Sequence, residues 1–324
     1  MSVSELLNRD LRTELAAVER LIDSIGDEVD VPLLGQLLRH ILQAKGKRLR
    51  PRLAFMAARF GRYPVERLTL LGGAVELLHT ASLIHDDLVD NADTRRGIAT
   101  LHRIASPKAS VLVGDYLFAK SAALATATNS LEVMALFART LMAICDGELR
   151  EMSNADLDDR TLEQYYRRVE GKTASLFVAA TEGGAILSEI GAAGELALRE
   201  YGRSLGMAFQ IADDILDFVG TEDELGKPVG GDLRQGTLTL PALWALEQMP
   251  DGQMLRRVVE SSERTDEQID AAVRYVAGSP GIAFAQEQAE AFAGRAREAL
   301  RPLPNGEAKR SLELMADYAV RRRR

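Results

Sequence analysis

Apolar residues recur at helical spacing along nearly the whole of this 324-residue chain, and no run alternates convincingly as a half-buried strand would. That periodicity restricts the fold to packed helices. They are expected at about 3–25, 31–44, 51–60, 65–90, 108–128, 131–152, 161–189, 193–219, 237–248, 251–261, 266–277, 282–300 and 307–321. Only 5% of residues are aromatic, and Ala and Leu dominate, which favours helix over strand. The stretches 65–90 and 161–189 are apolar on most faces and should be interior. No Pro/Ser-rich linker and no repeat of about 20–50 residues divides the chain. Residues 1–324 are therefore expected to form a single all-α domain, one large helical bundle. The exception is 220–236, "GTEDELGKPVGGDLRQG", whose glycines, charges and proline mark a long loop.

The formal charge of −8 argues against nucleic acid as a partner, which would call for a basic excess. One cysteine, Cys145, rules out an intrachain disulfide and makes a Cys-based zinc site implausible. The first residues intersperse charges among apolar side chains, unlike a signal peptide, and no run approaches the roughly 18 apolar residues of a membrane span. The expected location is cytoplasmic.

Two acidic stretches do not fit an ordinary helical surface. "LIHDDLVD" (83–90) ends an apolar helix on Asp86, Asp87 and Asp90, and "IADDILD" (211–217) repeats the pattern with Asp213, Asp214 and Asp217. Residues four apart share a helix face, so Asp86 projects with Asp90 and Asp213 with Asp217. A single such motif reads best as a solvated acidic face. Here the preceding turns, "ELLHTASLI" and "GMAFQIA", are apolar, and the motif occurs twice. Negative charge is also disfavoured at a helix C-terminus. Uncompensated, the carboxylates would raise one another's pKa values. Mg2+ resolves the conflict: it takes oxygen ligands, typically one or two carboxylates together with substrate phosphates. Zinc, which prefers nitrogen and sulfur, fits less well.

The basic residues suit a phosphate partner. "GKRLRP" (46–51) offers Lys47, Arg48 and Arg50, and "DTRRG" (93–97) adds Arg95 and Arg96 just past the first acidic cluster. Arginine forks match phosphate oxygens bidentately. Each stretch alone would pass for a solvated loop. His79 lies two helical turns before Asp86 on roughly the same face.

Together "GKRLRP", "ELLHTASLIHDDLVD", "DTRRG", "GKTASLF" (171–177), "AFQIADDILDFVG" and "GKPVGGDLRQGTLTLP" (226–241) resemble, in order, the motifs of the trans-type polyprenyl diphosphate synthases. The resemblance implies an all-α prenyltransferase of the isoprenoid synthase type, with a central cavity between the two aspartate-rich helices. It implies about three Mg2+ ions per site, ligated chiefly by Asp86, Asp90 and Asp213. Asp87, Asp214 and Asp217 would act through water or orient the site. Arg95, Lys172 and Lys227 would hold the allylic diphosphate, while isopentenyl diphosphate would sit in the pocket of Lys47, Arg50, His79 and Arg96. Thr173, Gln210 and the Lys172 carbonyl would face the allylic cation, and the departing diphosphate would serve as the base. The loop 220–236 would close to exclude water. One departure stands out: many short-chain relatives carry a further lysine where this chain has Thr237, so that phosphate contact should be absent or replaced.

Product length in this family depends on what blocks the tunnel below the first cluster. Reading back from Asp86, Ser82 and Ala81 are small where short-chain enzymes place bulk, and Leu78 comes next. A medium- or long-chain product of about thirty to fifty carbons is expected, since one helical turn spans close to one isoprene unit. The alternatives are a short-chain farnesyl or geranylgeranyl diphosphate synthase, or a subunit of a heteromeric synthase. A terpene cyclase would replace the second motif, and a noncatalytic subunit would have lost charged residues that are present here. The Ala-rich helices 108–128 and 131–152 point to a homodimer. The terminal "RRRR" (321–324) would allow at most peripheral membrane contact.

Overall fold

The computed structural model describes residues 11–44, 46–153, 161–220, 229–250, 252–261 and 264–321. The start of the first expected helix, residues 221–228 of the expected loop with Lys227 among them, and residues 322–324 lie outside them. The helices are α1 Arg12–Ser24, α2 Pro32–Leu42, α3 Leu49–Ala58, α4 Val65–Val89, α5 Pro107–Ala127, α6 Leu131–Ser153 and α7 Leu162–Val169. A π turn, Glu170–Ala174, follows. Then come α8 Ser175–Leu187, α9 Ala192–Val219, α10 Leu240–Gln248, α11 Gly252–Glu260, α12 Asp266–Ala277, α13 Gly281–Ala299 and α14 Glu307–Arg321. The all-α expectation holds, with local departures. The helix expected over 161–189 is interrupted by the π turn, and the loop expected over 220–236 contains a short helical turn, Gly231–Gln235.

The chain divides into two compact units. One comprises Met1–Met142, Leu176–Gly202 and Ala299–Leu314; the other comprises Ala143–Ser175, Arg203–Glu298 and Met315–Arg324. In the first, α4 is the central helix, packed most extensively along α5 and also on α3 and α1. Every residue from 71 to 78 is buried, as a helix apolar on all faces requires. By length and hydropathy α4 could cross a membrane, yet 61% of its apolar window is buried within the protein, as befits a core helix. Asn91, with φ 51, takes the left-handed conformation that ends α4 directly after Asp90. Beyond it, Thr94–Arg95 and Ile98–Ala99 form a two-stranded antiparallel hairpin. Its turn residues Arg96 and Gly97 both have positive φ (51 and 79), the geometry of a tight primed hairpin turn.

In the second unit the α9 face bearing Met207, Ile211 and Ile215 packs in one apolar core with Tyr165 and Val169 of α7 and residues of α10–α13. Helix starts are set by local chemistry. Thr161 caps α7 by accepting from the Gln164 amide, and Thr265 with Gln268 forms a reciprocal capping box on α12.

Candidate active site

The first unit carries the first acidic cluster at the end of α4. Asp86 is half-buried and Asp90 exposed, whereas Asp87 turns inward and is only 4% exposed. Asp87 accepts a very short hydrogen bond from Nε of Arg95 on the hairpin. Burial raises its pKa, against the pull of Arg95, and Asp90 adds to the rise. The hairpin therefore ties Arg95 to the cluster through Asp87.

The basic residues of this unit divide into support and surface. Arg48 adopts φ 48 and is buried, with Nε and Nη2 donating to Glu19 at 2.7 and 3.1 Å and Nη1 donating to Glu76 at 2.8 Å. Of its neighbours, Lys47 is exposed and Arg50 is half-buried. The Arg50 guanidinium lies 5.2 Å from the centroid of the buried Phe177 ring, within cation–π range. Arg96 Nη1 donates to the Ala44 carbonyl at 3.2 Å and covers Gly46, where a Cβ would come within 2.8 Å of it. Around His79, burial first and then Arg50, Arg96, Arg95 and Arg48 hold the imidazole pKa well below its ordinary value. At neutral pH His79 is uncharged, so it offers hydrogen bonds beside a cluster of arginines without adding to their repulsion. Four of the expected residues, Arg50, His79, Arg95 and Arg96, thus share one electropositive neighbourhood suited to a diphosphate.

The second unit carries the other cluster on α9. Asp213 is half-buried, while Asp214 and Asp217 are each 3% exposed. Asp217 accepts from the backbone amides of Gly231 and Asp232 at 3.2 and 3.0 Å, fastening the chain after the 221–228 segment. Asp214 accepts from Tyr165 Oη at 2.6 Å and Gln210 Nε2 at 2.8 Å. Burial pushes its pKa up to about 7, with Asp213 adding to the rise and Tyr165, Gln210 and Arg168 opposing it.

The π turn sets "GKT" against this cluster. Its extra residue re-aims the side chains that follow, a feature often found at functional sites. Lys172 Nζ lies 2.7 Å from both Glu148 and Glu151 of α6, and Thr173 Oγ1 donates to Gln210 Oε1 at 2.8 Å. Arg168 Nη1 also reaches Glu151, at 3.1 Å. Burial would raise the Glu151 pKa, but Lys172 and Arg168 bring it below the usual range. Thr237 adds a hydrogen bond to the same carboxylate, so the hydroxyl joins the support of Lys172.

Sequence reasoning missed Glu148, Glu151, Tyr165 and Phe177. Glu148 and Glu151 share a helix face, but nothing local to "GELRE" says that this face meets residues 168–172.

Among the described residues no three His, Cys, Asp or Glu side chains gather into a ready-made metal centre. The donors of each cluster nevertheless suit Mg2+: half-buried Asp86 and exposed Asp90 in the first unit, and half-buried Asp213 in the second, are oxygen donors of the kind that shares Mg2+ with substrate phosphates.

A largely helical chain with two aspartate motifs and arginines clustered around a histidine has the features of an isoprenyl-transferring enzyme. Residues 31–276 match the family model described as polyprenyl synthetase. The chain belongs to that family and is a prenyltransferase. It is 34% identical over 313 residues to heptaprenyl diphosphate synthase component 2 of Bacillus subtilis (strain 168), covering 97% of this chain and 89% of that one. To octaprenyl diphosphate synthase of Escherichia coli (strain K12) it is 35% identical over 324 residues, covering 99% and 98%. Its fold superposes with a TM-score of 0.93, at 37% identity, on a crystal structure of polyprenyl synthase from Caulobacter crescentus CB15 complexed with calcium and isoprenyl diphosphate, covering 100% and 98%.

Proposed function

We propose that the protein is a Mg2+-dependent trans-prenyltransferase that condenses isopentenyl diphosphate with an allylic diphosphate, giving a polyprenyl diphosphate of about thirty to fifty carbons. The observation that carries this reading is the gathering of Arg50, Arg95 and Arg96 about a neutral His79 on the unit that also bears Asp86 and Asp90. Arg50, Arg96, His79 and Lys47 bind the diphosphate of the acceptor. Arg95, Lys172 and Lys227 would hold the allylic diphosphate, and Asp86, Asp90 and Asp213 would supply ligands to about three Mg2+ ions. When bound, Mg2+ supplies the positive charge that stabilises the leaving diphosphate. Thr173 and Gln210 present oxygen dipoles to the allylic C1 as its bond to oxygen breaks. The pocket residues keep the acceptor double bond in line with C1, so that the new C–C bond forms before water intervenes.

Support for the product length comes from α4, where Ala81 and Leu78 are fully buried and Ser82 is 9% exposed. The relatives named for hepta- and octaprenyl products agree with it.

A homodimer is proposed from one face of α6. Leu131, Ala135, Ala138, Met142, Cys145, Leu149 and Met152 are all exposed, at alternating spacings of four and three. That is the a/d repeat of a helix that pairs with another. The name "component 2" of the Bacillus relative makes an unlike partner the second reading of the same face. The test is incubation of the purified chain with labelled isopentenyl diphosphate, farnesyl diphosphate and Mg2+. Medium- or long-chain product from the chain alone supports the proposal, whereas turnover only after adding a second polypeptide supports the heteromeric reading.

A further inference from the structure

An ionised carboxylate accepts hydrogen bonds and cannot donate them, and a carboxamide donates from nitrogen and accepts at oxygen. With Asp214 ionised, these rules fix the direction of every bond in one chain of side chains within the second unit. Asp214 takes Tyr165 Oη–H on one oxygen, at 2.6 Å, and Gln210 Nε2–H on the other, at 2.8 Å. With its nitrogen committed there, Gln210 turns its oxygen the other way, and this oxygen accepts the Thr173 hydroxyl proton at 2.8 Å. A hydroxyl has one proton and two lone pairs. The proton of Thr173 is directed inward, so only lone pairs remain on the half-buried side of the residue.

We propose that Tyr165 is a positioning residue: acting through Asp214 and Gln210, it holds the Thr173 oxygen with lone pairs alone facing the allylic carbon where positive charge develops. The proposal rests on the prenyl-transfer reading and deepens it. It also gives Asp214 the work of orienting Gln210. Tyr165 is 3% exposed and sits in the apolar core, so its hydroxyl is placed by packing and not by a mobile loop. Its ring has a separate task. The Arg168 guanidinium lies 5.6 Å from the ring centroid, and Arg168 in turn pairs with Glu151, which holds Lys172. Tyr165→Phe therefore removes the hydroxyl arm and leaves the ring beneath Arg168.

The test compares wild type and Tyr165→Phe with Mg2+ and pyrophosphate present. The probes are an ammonium analogue of the allylic cation and an uncharged-chain allylic thiolodiphosphate. Circular dichroism establishes that the variant is folded. The expected result is a fall in kcat on the order of tenfold, the size of one lost hydrogen bond, with KM for both substrates unchanged. Affinity for the ammonium analogue falls by a similar factor, and affinity for the thiolodiphosphate does not. Thr173→Ser retains activity, Thr173→Val loses it, and adding Tyr165→Phe to Thr173→Val has no further effect. Equal loss of both analogues, or additive effects in the double variant, would overturn the proposal. The Thr173 pair settles it even if Tyr165→Phe fails to fold: equal activity of Thr173→Ser and Thr173→Val overturns it. A wild-type protein that does not turn over would instead overturn the prenyl-transfer reading, and the proposal with it.

Discussion

Gly147 of α6 and Gly171 of the π turn meet backbone to backbone. A Cβ on Gly171 would lie 2.6 Å from the Ala143 carbonyl oxygen and 3.3 Å from Gly147 Cα, and one on Gly147 would lie 2.7 Å from the Lys172 amide nitrogen. This approach brings Glu148 and Glu151 within reach of Lys172. Either glycine changed to alanine should push the π turn off α6. The expected stability loss is about 1–3 kcal/mol, the range for overpacking. The expected drop in kcat is on the order of tenfold or more, because small displacements of positioned groups are costly to catalysis. Steady-state kinetics and urea melts check both, and Gly294→Ala on α13, where the added Cβ meets only a guanidinium nitrogen at 3.9 Å, is the control.

Arg48 and Arg50 should separate stability from binding. Glu76 is 3% exposed, and among the described residues its Oε2 has no hydrogen-bond partner, so its burial depends on Arg48. Arg48→Met leaves that charge uncompensated and should cost about 3–5 kcal/mol in denaturant melts. Arg50→Ala should leave the melt nearly unchanged and raise KM for isopentenyl diphosphate, with a smaller effect on KM for the allylic substrate.

Ala81 is fully buried on α4, one helical turn and a residue before Asp86. Ala81→Phe should shorten the product sharply, as seen by chromatography of the dephosphorylated chains. An unchanged product distribution would refute the placement of the elongation tunnel along this helix.

The α6 face gives a prediction with a built-in reporter. Met142 is 63% exposed at the middle of the heptad stripe, and Cys145, the sole cysteine, lies on the same face. Met142→Glu should shift the protein to the monomer mass in gel filtration and speed maleimide labelling of Cys145. Labelling equally fast in both forms would show that this face is not the interface.

Much of this architecture was legible in sequence for a simple reason. The helices expected over 65–90 and 193–219 appear as Val65–Val89 and Ala192–Val219, because long periodic apolar stripes leave little choice. The hairpin at 94–99 was not legible, since strands of two residues are too short to show a period of two. Nor was the π turn, because one added residue barely disturbs a periodic pattern. The aspartate motifs stood out, but their division of labour did not. That Asp217 would bond amides at 231 and 232, and that Asp214 would meet Tyr165, are contacts made far along the chain.

The most direct test of Mg2+-held diphosphate as the substrate state is calorimetric titration of an allylic thiolodiphosphate into wild type, Asp86→Asn and Asp213→Asn, with Mg2+ or with EDTA. Tight binding that requires Mg2+ and weakens about tenfold or more in each variant is the expected result. Binding that persists in EDTA, or that neither substitution weakens, would contradict it.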